Sequence, residues 1–336
     1  MEARIVVATV REISERFVDD HAKVNPNYMS IVGAARSATT FTDYSPEGLE
    51  AIAEHLRQVR DELRNATAVD EVERLGAAVL DDWARTRLGL IESGESAAWI
   101  TPQIGAQVTI ARALELMPRE SDDDWERVAV RLDAVPLAMS QYEAGLRDAA
   151  DRGIGPQERI VDAVAAQCRT WSGQGGPGRF SSFVARYGEG PLSSRLADAG
   201  SVADAAYGSF AGWLEQDYRP RATTVEGVGD DRYRIWAADT VGTSSLDLDE
   251  VYAWGWNELA RIEAEQALEC ERILPGASMA EVVEHLERPE VCIEGVDAWR
   301  DWLQQTTDDA IAALDGTEFD IAAELRRCDI VIPPAG

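Results

Sequence analysis

Trp125-Glu126-Arg127-Val128-Ala129-Val130-Arg131-Leu132-Asp133-Ala134-Val135-Pro136-Leu137-Ala138-Met139-Ser140-Gln141-Tyr142-Glu143-Ala144-Gly145-Leu146 is the most regular stretch of the chain. Its large apolar residues, Trp125, Val128, Leu132, Val135, Met139, Tyr142 and Leu146, recur at alternating steps of three and four. That spacing puts all seven on one face of an α-helix, whereas a strand would alternate with period two. Pro136 lies inside the pattern, and proline removes one helical hydrogen bond and clashes with the preceding turn. The stretch therefore reads as one long helix kinked at Pro136 or as two helices meeting there.

The same period extends outward in both directions. Ser45-Pro46-Glu47 opens a helix with serine as N-cap and proline at the first position. Its stripe is Leu49, Ile52, Leu56, Val59 and Leu63. A second helix over about 68–91 carries Val72, Leu75, Val79, Trp83 and Leu90. Another covers about 156–171. After the Gly-rich stretch 172–178 helices resume at about 179–187 and 201–218. Asp247 with Glu250 and Ser278 with Glu281 have the spacing of capping boxes. They open helices over about 248–273 and 279–287, and a last helix covers about 296–314. The tail Cys328-Asp329-Ile330-Val331-Ile332-Pro333-Pro334 is the best strand candidate. The expected fold is all-α, a multi-helix array with at most a short C-terminal strand. Its domains are a lobe of residues 1–171, a Gly-rich connection 172–178, and a second lobe 179–336.

The chain has 336 residues, 32 of them basic and 61 acidic, for a net charge of −29. A surface that negative repels phosphate backbones and anionic lipid, so neither nucleic acid nor membrane is expected as a partner. No apolar run is long enough to cross a bilayer and no secretory leader is evident, so a cytoplasmic location is expected. Lys23 is the single lysine. GC-rich coding and salt adaptation would both leave arginine in place of lysine. No Gly-Lys pair exists, which excludes a P-loop, and Lys23 lies in a polar stretch unsuited to a Schiff base.

Cys168, Cys270, Cys292 and Cys328 are too far apart for a zinc ribbon or a redox pair, and are read as reduced, mostly buried thiols. His21, His55 and His285 show no metal-ligand spacing. Gly94-Glu95-Ser96-Ala97-Ala98 lacks the second glycine of a nucleophile elbow and follows a helix. The Gly-rich stretch follows a helix rather than a strand and reads as a loop rather than a phosphate cradle. Trp254, Trp256, Trp299 and Trp302 read as core or groove aromatics. No catalytic, cofactor-binding or metal-ligating residue is assigned, and no substrate-binding residue is identified.

Several stretches, in order, resemble one family. They are Asp217-Tyr218-Arg219-Pro220-Arg221-Ala222, then Leu246-Asp247-Leu248-Asp249-Glu250-Val251-Tyr252-Ala253-Trp254-Gly255, then Leu314-Asp315-Gly316-Thr317-Glu318-Phe319-Asp320-Ile321. Asp43-Tyr44-Ser45-Pro46-Glu47-Gly48-Leu49, Leu116-Met117-Pro118 and Arg131 to Pro136 are compatible with it. The succession resembles the bacterial domain-of-unknown-function family 885 over essentially the whole chain. The resemblance implies kinship with helical, gluzincin-type zinc metallopeptidases, whose members carry H-E-x-x-P-G-H-H. There two histidines hold zinc and the glutamate activates water. In the family that motif lies beyond a stretch like Ile330-Val331-Ile332-Pro333-Pro334, and no His-Glu pair occurs in these residues. Glu318 stands where the family tends to have histidine.

Three readings stay open. The chain is the N-terminal, cleft-wall portion of a zinc metallopeptidase-like protein, truncated and inactive alone, with zinc and a peptide-like substrate belonging to the complete protein. Alternatively it is a free-standing acidic helical module that binds a peptide or partner protein. A third reading is a non-zinc enzyme that uses carboxylates.

Overall fold

The computed structural model describes residues 8–243 and 245–332. Among them the structure is helical, without a strand that pairs into a sheet. Two compact units form, Met1–Leu246 and Asp247–Gly336.

The first unit opens with α1 (Val10–Val24), held at its start by a capping box of Thr9 and Glu12, and α2 (Pro26–Ile31), capped by Asn25. Next come α3 (Pro46–Asn65), with Ser45 as N-cap, and α4 (Glu71–Glu92), with Asp70 as N-cap. α5 (Ala106–Glu115) follows a loop. The period-decided stretch resolves into two helices, α6 (Asp122–Asp133) and α7 (Val135–Asp151). They meet at Ala134, with Pro136 in the first turn of α7, where its missing N–H costs nothing. All seven residues of the stripe are buried. α8 (Glu158–Trp171), α9 (Arg179–Val184), α10 (Ser193–Trp213) and α11 (Asp230–Val241) complete the unit.

The main core lies where α6, α7 and α8 pack around α10. Leu132, Tyr142, Leu146, Val164, Tyr207 and Phe210 are at its centre. Small residues on α10, Ala199, Gly200 and Ala203, let its neighbours approach closely. Two smaller cores flank it: Leu49, Ile52 and Leu56 of α3 pack with Ala84 of α4 in one, and Val10 and Ile13 of α1 pack with Val59 and Leu63 of α3 in the other.

Residues 179–221 thus pack on the helices that precede the Gly-rich stretch, and the two units divide after Leu246 rather than at 172–178. The glycines there make turns, with Gly173 and Gly175 at positive φ. The reason the chain returns is local. Asp204 of α10, itself buried, accepts from the backbone N–H of Phe180 (2.9 Å) and Ser181 (3.1 Å) and so caps α9. A side chain at Gly178 would strike the Asp204 carboxylate.

The stripe expected on the second helix fails in its first half. Val72, Leu75 and Val79 of α4 are exposed, while Ala84, Leu88 and Leu90 are buried. The N-terminal turns of α4 are held instead by polar contacts, with Glu73 buried beside the Asp70 cap.

The second unit holds α12 (Leu248–Ile273), α13 (Met279–Leu286) and α14 (Val296–Leu314). Asp247 caps α12, and Ser278 with Glu281 forms a full capping box on α13. The tail forms no strand through Ile332, and Pro333 and Pro334 lie outside the described residues. Its backbone has a different partner. The Gln304 amide on α14 donates to the Cys328 carbonyl (2.9 Å) and accepts from the Ile330 N–H (2.9 Å). One side-chain amide thus does for this tail what a neighbouring strand would have done.

Candidate functional site

The residues weighed for chemistry are scattered. Lys23 is exposed and paired with Asp20 (2.6 Å). Glu281 is committed to its helix cap, and His285 lies in the last turn of α13. Among the described residues, no group of three or more His, Cys, Asp or Glu side chains is arranged to hold a metal ion. The thiols are free but not mostly buried. Cys168 is enclosed in the main core, which pushes it up to about 12, whereas Cys292 and Cys328 are exposed. The four tryptophans of the second unit are exposed, from 45% for Trp299 to 63% for Trp254, so they form no core there.

Ser96 and its neighbours form a turn after α4, not an elbow. Gly94, at φ +86°, starts the turn, and Glu95 anchors it. Glu95 is 3% exposed and accepts from Arg232 (2.5 and 3.0 Å) and from Trp236 Nε1 (2.9 Å), tying the turn to α11. A carboxylate this buried is tolerated because both oxygens are bonded.

That turn closes a cavity of about 320 Å³ within the first unit. The volume is at the small end of the range for small-molecule sites. One wall is apolar, made by Leu49, Ile52 and Leu56 of α3 with Trp83 of α4 and Trp99 of the loop. Another wall is a polar network that no sequence motif announced. The Tyr44 hydroxyl bonds Thr109 of α5 (3.0 Å) and accepts from Asn27 Nδ2 (3.2 Å). Thr42 donates to Asn25 Oδ1 (2.8 Å) and accepts from the Asn27 N–H (3.1 Å). Two core tyrosines brace this region from behind. Tyr142 donates to the Trp99 carbonyl (2.8 Å) and Tyr207 to the Gln107 carbonyl (2.5 Å).

His21 lines the cavity and stacks with His55 at 5.4 Å, with Phe17 against both rings. The sequence separates these histidines by 34 positions; helical packing of α1 on α3 joins them. Burial, aided by His55, takes the His21 imidazole down to about 4, so it is neutral at pH 7. Its tautomer follows from its neighbours. Asn25 Oδ1 accepts from Thr42 and from the Tyr28 N–H, so Asn25 Nδ2 is the group facing His21 Nε2 at 3.4 Å. His21 Nε2 therefore accepts and Nδ1 carries the proton. Nδ1 is buried with no partner.

Two arginines also line the cavity, Arg87 of α4 and Arg112 of α5. Arg87 pairs with Asp239 of α11 (3.2 Å), and its Nε is buried without an acceptor. Among the described residues no carboxylate lies within ion-pair distance of Arg112.

A model of the family described as bacterial protein of unknown function, DUF885, matches residues 26–335. No curated protein matches the chain. The chain is similar to the crystal structure of the "putative lipoprotein" from Colwellia psychrerythraea, at 15% identity and a TM-score of 0.71. It covers 92% of this chain and 59% of that one. A "putative lipoprotein of unknown function" from Shewanella oneidensis is similar at 12% identity and a TM-score of 0.61, covering 94% of this chain and 59% of that one. At such identities the likeness is one of fold. The chain spans about three fifths of the length of both.

Proposed function

The chain belongs to the DUF885 family of bacterial proteins, and on that premise we propose that it is the helical, cleft-wall portion of a longer zinc-peptidase-like protein. In this reading the chain binds and positions a peptide-like substrate. The zinc ligands and the glutamate that activates water belong to sequence beyond these residues. The chain alone is then catalytically silent.

The observation that carries the reading is the surface of the second unit. α12 and α14 present Trp254, Trp256, Leu259, Trp299 and Trp302 to solvent, and Val282 is the one residue of the unit buried among those described. A helix in a globular protein draws most of its stability from burying an apolar face. Covering each of these side chains would contribute about 1.5–3 kcal/mol. The cover we assign is the part of the longer protein that corresponds to the remaining length of the two solved relatives.

The test compares this 336-residue chain with a version extended through any coding sequence downstream. Zinc content, peptide hydrolysis and amide exchange in α12 and α14 are measured on both. The reading expects about one zinc per chain, peptidase activity and slowed exchange in the extended protein alone. Stoichiometric zinc or hydrolysis by the shorter chain overturns it. So does an extended protein without either property, which would favour a free-standing binding module.

A further inference from the structure

We infer that the cavity enclosed by α1 to α5 is a binding site for a small apolar carboxylate. The inference stands on charge and geometry within the first unit and is independent of any zinc chemistry.

The charge pattern is the first argument. Acidic residues make up 61 of the 336, yet none of the 19 residues lining the cavity is Asp or Glu. Its charged lining is Arg87 and Arg112. In a molecule of net charge −29, a recess whose walls carry no carboxylate and whose uncompensated charge is that of Arg112 departs from the acidic character of the rest. Such a recess concentrates anions against the repulsion of the whole.

The polar wall is the second argument. Asn25, Thr42, Tyr44 and Thr109 bring hydrogen-bonding side chains to the cavity opposite its apolar wall. A recess with one polar and one apolar side suits a ligand with a polar head and an apolar body.

The ligand's charge and body follow. Asp239 already offsets Arg87, and His21 is neutral. The surplus is the single charge of Arg112, which fits a monoanion rather than a phosphate dianion. The wall of Leu49, Ile52, Leu56, Trp83 and Trp99 fits an aryl or branched aliphatic body. A free acid and the C-terminal carboxylate of a short peptide share this chemistry.

The test is calorimetric titration of the 336-residue chain with 3-phenylpropanoate, with tryptophan fluorescence as a second readout. The neutral 3-phenylpropanamide, inorganic phosphate and the dipeptide Gly-Phe are titrated alongside. We expect one site per chain, with the amide and phosphate at least about tenfold weaker than the acid. Arg112→Gln, at an exposed position that leaves the core intact, should lose about tenfold, the worth of one charge-assisted bond. Arg186→Gln, away from the cavity, should bind as the parent does. A stronger signal from Gly-Phe than from the free acid identifies a peptide terminus as the source, and the converse identifies a free acid. Equal binding of acid and amide, unchanged affinity in Arg112→Gln, or no binding up to about 10 mM overturns the inference.

Discussion

His21 shows how much one buried side chain can couple this fold to pH. Its folded value, about 4, lies below the ordinary 6.5. Between those values the unfolded chain takes up a proton that the folded chain refuses, so stability falls as pH drops from about 6.5 to 4 and is level above 6.5. The linkage amounts to something on the order of 3 kcal/mol. Urea midpoints from pH 7.5 to 4.5 should therefore fall more steeply for the parent than for His21→Leu. Parallel slopes would show that His21 is not the group responsible. Nothing in the sequence around His21 marks it. Its neighbours Asp19, Asp20 and Lys23 are charged; Phe17 lies one turn earlier on α1, and only the packing of α1 on α3 and α4 adds His55 and Trp83 to the ring's surroundings. The cavity is equally silent in sequence. Its residues come from five helices and the two loops before α3 and before α5, each individually ordinary, and the absence of acid on its walls is visible only after folding.

At the scale of the element, what was legible is what is written in local periodicity and capping. α3 begins at Ser45-Pro46 and α13 at Ser278 because a side-chain oxygen there satisfies an orphan N–H, a fact of a few consecutive residues. α6 and α7 share one stripe because both face the same core. α1, α2, α5 and α11 were not legible as helices. α2 has only six residues, and α11 carries Asp230, Asp231, Arg232, Arg234 and Asp239 and buries only Ala237 and Ala238. The exposed first half of α4 marks the opposite failure, a stripe present in sequence and unused in this unit. The Gly-rich segment makes a testable case of an element held by a distant residue. Asp204→Ala removes the cap of α9 and should cost about 2 kcal/mol, read as a lower urea midpoint. A change of less than about 0.5 kcal/mol would mean that core packing of Phe180 and Phe183 alone seats α9.

For the whole molecule, charge sets the conditions of stability. The 32 basic residues can neutralise at most that many of the 61 acids. Most ion pairs are on the surface, such as Arg64 with Asp61 and Arg74 with Glu71, and each contributes about 0–1 kcal/mol. Salt weakens those pairs, but it also screens the unpaired excess, and the excess is the larger quantity. Melting temperature should therefore rise by a few degrees between about 0.01 and 0.15 M NaCl, as the screening length shortens to about 8 Å. A fall over that range would mean that the surface pairs outweigh the repulsion.

Gly145 sits on α7 with its α-carbon against the carbonyl of Tyr44, where a side chain of any size would collide with backbone. Tyr44 is a wall of the cavity and Tyr142, one turn earlier on α7, braces the loop that bears Trp99. α7 and the recess thus meet at one residue, Tyr44. Whatever shifts α7 along its axis is felt at once as a change in the width of the recess, and whatever fills the recess resists that shift. A ligand there would behave as a wedge that stiffens the core from its edge.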